Sequence, residues 1–335
     1  MWYSMKNKLN CILLVVIGVL MIGSIVFGMA KPAVLNTKDQ AIIAVKPGMT
    51  ANDIGELLYN EKIINSVIMF RVMAKFHNME SSLQAGEYAF SKNMSLDQIV
   101  TMLAKGQTTY RQITIPEGYN VDQIAKLIKQ KGFGDDTKFK KMAKIYTPYA
   151  YMTSSANASY KAEGYIFPNT YHIPRNTTEE QLLTLMVKEF DNQFTPTMRA
   201  RAVELGLSVS DVITLASLVE KEAKLDGDRP IIAKIFMNRL KQDMPLQSCA
   251  TIQYILGYPK PELSIEDTRI ESPYNTYQHM GLPPGPIANP GGASINAVLY
   301  PSDADYLYFV ADKEGAHHYS RTYQEHLDFI EKVSN

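Results

Sequence analysis

The sequence predicts an α+β protein in three parts: a membrane-crossing helix near the N-terminus, small strand-turn-helix modules, and a larger mixed α+β domain. Three observations predict this. Residues 11–30 carry no charge, and about 20 apolar residues in a helix cross the roughly 30 Å of hydrocarbon in a bilayer. A strand, a turn and a short amphipathic helix recur between residues 42 and 128. Beyond them the pattern is mainly helical, broken by aromatic and Pro/Gly-rich stretches.

Lys6, Lys8 and the α-amine precede the apolar run, and no acid occurs before Asp39. The positive-inside tendency predicts a cytoplasmic tail at 1–10, a transmembrane helix at 11–30 and an extracytoplasmic remainder, in a single-pass cell-membrane protein. A cleaved secretory signal is the competing expectation, with Gly28-Met29-Ala30 as a small-residue cleavage site. The run is longer than a usual signal core, which favours a retained anchor. Residues 31–39 form a short polar stalk.

The first repeat reads Ile42-Ile43-Ala44-Val45 as strand, Lys46-Pro47-Gly48-Met49 as turn and Thr50 as helix cap, with Ile54, Leu57 and Leu58 on one helical face. In the second, Tyr88-Ala89-Phe90 is the strand, Ser95 the cap, and Ile99, Met102 and Leu103 the apolar face. In the third, Ile113-Thr114-Ile115 leads through Pro116-Glu117-Gly118-Tyr119 to Val121, Ile124, Leu127 and Ile128. The first two resemble LysM-type modules, which hold N-acetylated glycans. The resemblance implies a LysM-like subdomain over 40–110, before a larger domain at 111–335.

Lys+Arg and Asp+Glu balance at 34 each, so no charge excess points to nucleic acid. Cys11 lies in the apolar run and Cys249 is alone outside it, which leaves the exported part without an intrachain disulfide. His317 and His326 match no zinc spacing, and neither a metal nor a cofactor is predicted.

In the larger domain, residues 163–171 read as a short aromatic strand broken by Pro168, suited to a cleft wall. Helices are predicted over 178–194, over 198–205 closed by Gly206, and over 231–240. Between them, Ser210 is expected to cap a helix starting at Asp211. Its apolar residues Val212, Ile213, Leu215, Ala216, Leu218 and Val219 point all around, so it is expected to be buried. It ends in Glu220-Lys221-Glu222. A carboxyl beside such a stretch is one that burial can keep protonated, as a general acid must be. A solvated helix end is the plainer reading of the same residues, and Glu220 and Glu222 compete for the role.

Polar and stiff stretches follow. Met244-Pro245-Leu246-Gln247-Ser248, Ser272-Pro273-Tyr274-Asn275-Thr276-Tyr277, Gly281-Leu282-Pro283-Pro284-Gly285-Pro286-Ile287 and Asn289-Pro290-Gly291 supply amides, phenols and fixed backbone. Together with Leu215 to Glu222, Glu163 to Tyr171, Tyr306 to Val310 and Gly315 to His326, they resemble the endolytic murein transglycosylase (YceG-like) family. The resemblance covers roughly residues 40–330.

This resemblance implies an α+β catalytic domain and a catalytic glutamate at Glu220. It implies cleavage of the β-1,4 bond between N-acetylmuramic acid and N-acetylglucosamine, leaving a 1,6-anhydro end, in peptidoglycan glycan strands. One carboxyl suffices, because the C6 hydroxyl of the same sugar is the nucleophile. The resemblance also implies termination of nascent strands near peptidoglycan synthases and division proteins. Asn169 and Cys249 depart from the family pattern, which often has Asp at both places. Gln247, Asn275 and Tyr277 are candidates to hold a sugar or its acetamide. Asn289 is placed to orient a sugar or brace the loop, and Ser217, one turn before Glu220, to hydrogen-bond it. Tyr165 is expected to stack on a pyranose or to fill the core, and His317 to line the cleft. A water-using muramidase and a non-catalytic glycan-binding scaffold are the alternative functions.

Overall fold

The computed structural model describes residues 40–334 except 154, 175, 176 and 261. The tail, membrane helix and stalk expected over 1–39 lie outside the described residues. Among the described residues no single helix is long and apolar enough to cross a membrane. The described chain is mixed α+β, with helices and three two-stranded sheets, and it divides into two compact units.

The smaller unit holds residues 40–111 and 172–174. Strand β1 (Gln40–Val45) is followed by helix α1 (Ala51–Asn60), whose Thr50 cap and Asp53 form a reciprocal capping box. Helix α2 (Val67–Phe76) is capped by Ser66. Strand β2 (Gly86–Ser91) pairs antiparallel with β1, with Tyr88 opposite Ile43. Helix α3 (Leu96–Ala104) starts at the Ser95/Gln98 capping box. Ile54, Leu58, Phe70, Tyr88, Phe90, Ile99 and Leu103 share one core. The first two sequence repeats therefore pack together as one unit. A lone hairpin with one helix cannot bury enough apolar surface, and here both repeats complete a single sheet and core.

The larger unit holds residues 112–171 and 177–334. The chain passes between units within β3 (Tyr110–Thr114) and β4 (Thr170–Pro174), which form the second sheet. Helix α4 (Val121–Gln130) is capped by Asn120, and α5 (Asp136–Ala143) by Asp135. The expected strand over 163–171 begins only at Thr170, because residues 163–168 turn inward as irregular backbone. Helices α6 (Glu179–Gln193) and α7 (Pro196–Glu204) follow.

Helix α8 (Val209–Glu222) carries the buried run from Val212 to Val219. Its cap is Ser208, not Ser210, because Asp211 three residues on completes a capping box with Ser208. Helices α9 (Arg229–Lys241), α10 (Cys249–Leu256) and α11 (Gly292–Leu299) pack against it. The hairpin of β5 (Tyr308–Ala311) and β6 (His317–Ser320) is held to α9 by Arg239, whose Nε donates to Leu307 O at 2.7 Å. Helix α12 (Tyr323–Ser334) closes the chain against that hairpin.

Candidate active site

Glu220 lies in the last turn of α8, its side chain only 7% exposed. Its Oε2 accepts hydrogen bonds from Gly291 N at 3.1 Å and Ser294 Oγ at 2.7 Å. Gly291 is the N-cap of α11 and has no side chain with which to cap it. Glu220 supplies that acceptor from another helix, where the exposed amides and helix dipole favour an anion. Arg229 Nη2 stands 3.6 Å from Oε1, and Arg229 Nε donates to Ser294 Oγ at 3.0 Å. Ser294, wholly buried, thus couples the cation to the carboxylate.

Glu222 points elsewhere, as residues two apart on a helix must. It accepts from Ser248 Oγ and the Ala250 amide at the start of α10. Burial pushes its pKa up, partly opposed by those hydrogen bonds. A third glutamate, Glu163, is 0% exposed. It accepts from Val121 N at the start of α4 at 3.0 Å, from Asn289 Nδ2 at 3.0 Å and from Tyr254 OH at 3.3 Å. Burial pushes its pKa up to about 8. Glu117, exposed beside Gly291, is also raised, by burial and then by the Glu220 charge. Its carboxylate occupies the space a Cβ on Gly291 would need.

Several residues predicted to meet sugar face the protein instead. Ser217 does not hydrogen-bond Glu220. Its hydroxyl donates to Thr214 O at 2.7 Å and accepts from Ile287 N at 3.1 Å, tying the Pro/Gly loop to α8. A hydroxyl one turn back on a buried helix reaches its own helix carbonyl more easily than a side chain beyond it. Asn289 is 0% exposed, accepts from Ile166 N at 2.8 Å and donates to Tyr119 O at 2.9 Å and to Glu163. It braces the loop. Asn275, also buried, donates to Thr268 O and Ile270 O and accepts from Tyr277 N. Tyr165 is in the core, edge-on to Phe190 at 5.1 Å.

Gln247 is exposed at φ 49°, its N–H donating to Thr276 O. Tyr277 OH lies 3.1 Å from Cys249 Sγ, beside Glu222. His317 is held by Asp228 Oδ2 at 2.7 Å, and Tyr319 OH donates to the other oxygen of that aspartate. Asp228 immediately precedes Arg229, and among the described residues His317 meets the aspartate and no cleft residue near Glu220. Sequence reasoning missed Arg229, Ser294 and Glu117, and singled out Gly291 only as part of a stiff loop. Ser294 follows the Asn289-Pro290-Gly291 stretch, and Glu117 lies in a turn that was read as structure only.

Glu220 thus offers one carboxyl oxygen held by two donors and another that faces only the Arg229 guanidinium, at 3.6 Å. Its Cγ lies 3.5 Å from where a Cβ on Gly118 would be, and Gly118 lines a 200 Å³ cavity. Such a group can donate a proton and be stabilised as the anion that remains.

Comparison with known proteins adds a relation. The model of the YceG-like family matches residues 43–332. A Bacillus subtilis (strain 168) protein named endolytic murein transglycosylase is 35% identical over 325 residues, covering 92% of this chain and 90% of that protein. A Streptococcus pneumoniae (D39) protein of the same name is 34% identical over 327 residues, and the match spans 58% of its length. A crystal structure of a yceG-like protein from Listeria monocytogenes superposes with a TM-score of 0.61 at 35% identity, over 88% of this chain and all of that one.

Proposed function

Because the chain belongs to the YceG-like family, we propose that it is a peptidoglycan lytic transglycosylase whose single acid and base is Glu220. The observation that carries this reading is the Glu220 carboxyl itself. Oε2 is occupied by Gly291 N and Ser294 Oγ, and Oε1 has only Arg229 at 3.6 Å. Oε1 is therefore the oxygen that exchanges a proton with the substrate.

The steps balance with that one group. Oε1 donates its proton to the glycosidic oxygen as the bond from C1 of N-acetylmuramic acid breaks. The carboxylate left behind faces Gly291 N–H, Ser294 O–H and the Arg229 guanidinium, a preorganised set of donors. The C6 hydroxyl of the same sugar then attacks C1 and returns its proton to Oε1. The product is a 1,6-anhydro ring, and the acid is regenerated. Ordinary glycosidases need a second carboxyl as nucleophile or as base for water. Here the intramolecular nucleophile takes that place.

The apolar run at 11–30 supports a membrane anchor with the catalytic unit outside the cell membrane. There the enzyme would terminate nascent strands near the synthases and division proteins. In the smaller unit, a polar 850 Å³ groove lined by Asn52, Arg71, Lys75 and Asn78 supports LysM-like contact with the same strand.

Digestion of purified sacculi followed by mass spectrometry tests the reading. The expected products are anhydro-ended muropeptides, each lighter by one water than the reducing-end products of a muramidase. Glu220→Gln is expected to abolish turnover with the fold retained. Reducing-end products would establish the hydrolytic alternative, and undiminished turnover by Glu220→Gln would remove the assignment.

A further inference from the structure

A groove runs from the Glu220 end of α8 along the start of α4 and the end of α10. Its inner part, the 200 Å³ cavity, is lined by Gly118 and Lys221. Its outer part, about 670 Å³, is lined by Lys126, Lys144 and Tyr160. The two share a wall of Gln123, Tyr254 and Tyr258. Tyr258 is 55% exposed and offers a flat apolar face with a polar tip.

The groove's charge is uneven. Asp122 is its acid, and it is already engaged by Lys140 at 3.3 Å and by Tyr160 OH at 3.0 Å. Lys126 and Lys144 are exposed and form no ion pair among the described residues. Among the described residues, Lys221 reaches only the Gly118 carbonyl, at 3.3 Å. The groove therefore presents unpaired cations beside an exposed aromatic ring. Sugars that are N-acetylated and amide-linked carry no charge for those cations to meet. The stem peptides of peptidoglycan do, since each ends in a carboxylate.

We propose that this groove holds the peptide-bearing part of the strand beside the scissile bond, with the carboxylates of a stem peptide meeting Lys126 and Lys144 and a sugar ring lying on Tyr258. The inference rests on the proposed transglycosylase activity and adds to it a preference for strands that carry stems.

The test compares two substrates: glycan strands with their stem peptides, and the same strands after an amidase has removed the stems and the lactyl carboxylates it frees have been converted to amides. The enzyme is the full chain in detergent, as wild type and as Lys126→Glu/Lys144→Glu. Loss of the two exposed contacts, together with the reversed charge, is expected to lower the ratio of kcat/KM on stem-bearing over stem-free strands roughly tenfold. The difference should shrink as salt is raised. If wild type does not cut stem-free strands, the assignment predicts a roughly tenfold rise in KM on stem-bearing strands at unchanged kcat. An unchanged ratio, or an unchanged KM, overturns the groove assignment while leaving the activity standing. Cleavage of neither substrate by the wild type overturns the activity, and the groove assignment with it.

Discussion

Asn289→Ala separates a brace from a sugar ligand. The alanine keeps the two backbone bonds of this residue, Asn289 N to Tyr119 O and Gly118 N to Asn289 O, both 2.9 Å. It removes the acceptor of Ile166 N, which lies in a buried setting. An orphaned buried donor costs about 1–3 kcal/mol. It also removes the Nδ2 donor to the buried Glu163, a bond worth about 0.5–1.5 kcal/mol to a carboxyl that keeps its proton at neutral pH. The expected loss is roughly 1.5–4.5 kcal/mol, a large share of the 5–15 kcal/mol typical of a domain. With a urea slope of about 2 kcal/mol per molar, the unfolding midpoint should fall by roughly 0.8–2.2 M, followed by circular dichroism. Gly291 lies two residues on and donates to Glu220, so kcat should fall as well. A sugar ligand would behave differently: KM would rise while the urea midpoint stayed within about 0.3 M of wild type. That result would refute the bracing role.

Ser294→Ala removes the 2.7 Å hydroxyl bond to Glu220 and should lower kcat roughly 10- to 100-fold with KM little changed, because a hydrogen bond to a charged group is worth about 1.5–3 kcal/mol. Steady-state kinetics on solubilised strands checks this, and an effect confined to KM would count against it. Glu163, pushed up to about 8 from an ordinary value of 4.5, holds a proton in the folded chain that the unfolded chain has released between those values. Its contribution is therefore fully present below about pH 4.5 and is lost as pH rises through about 8. Urea unfolding of wild type and Glu163→Gln between pH 5 and pH 9 should show a steeper decline in wild type, and parallel curves would exclude it. Gly164 has φ +85°, and a Cβ there would lie 2.5 Å from Pro286 Cγ and 2.7 Å from Ile213 Cγ2. Gly164→Ala should cost about 3 kcal/mol from strain and overpacking together, read as a lower thermal midpoint.

Local chemistry made much of the fold readable. Thr50 and Ser95 cap the helices expected of them, because each carries a capping partner three residues on. The all-round apolar pattern of α8 does correspond to a buried helix. Ser208 and Ser210 show the limit of that reasoning: both are good caps, and only the side chain of Asp211 decides between them. Long-range pairing was beyond local pattern. The β1–β2 register joins the first two repeats into one sheet, a pairing that neither repeat shows by itself. At the site, amide and hydroxyl side chains look alike whether they face a ligand or a backbone carbonyl. Asn275, Asn289 and Ser217 turned inward because an irregular loop carries backbone groups with no ladder to pair them. The Ser294–Glu220 bond spans 74 residues of chain, and no spacing rule signals it.

The choice between Glu220 and Glu222, left open by their spacing, follows from what each helix end does with its carboxylate. Three glutamates each dock on a helix start: Glu163 on α4, Glu222 on α10 and Glu220 on α11. Glu163 is enclosed and fully engaged, so it can only hold the structure together. Glu222 accepts the Ser248 hydroxyl and the Ala250 amide at the start of α10, and both contacts lie at one helix end. Glu220 meets a glycine cap with no side chain of its own, so the site depends on this carboxylate coming from outside. It alone of the three also has a guanidinium facing its second oxygen. A carboxyl that must give up a proton and take it back needs its anion stabilised and one oxygen left uncommitted. Glu220, with Gly291, Ser294 and Arg229 around it, has the arrangement that the proposed role calls for.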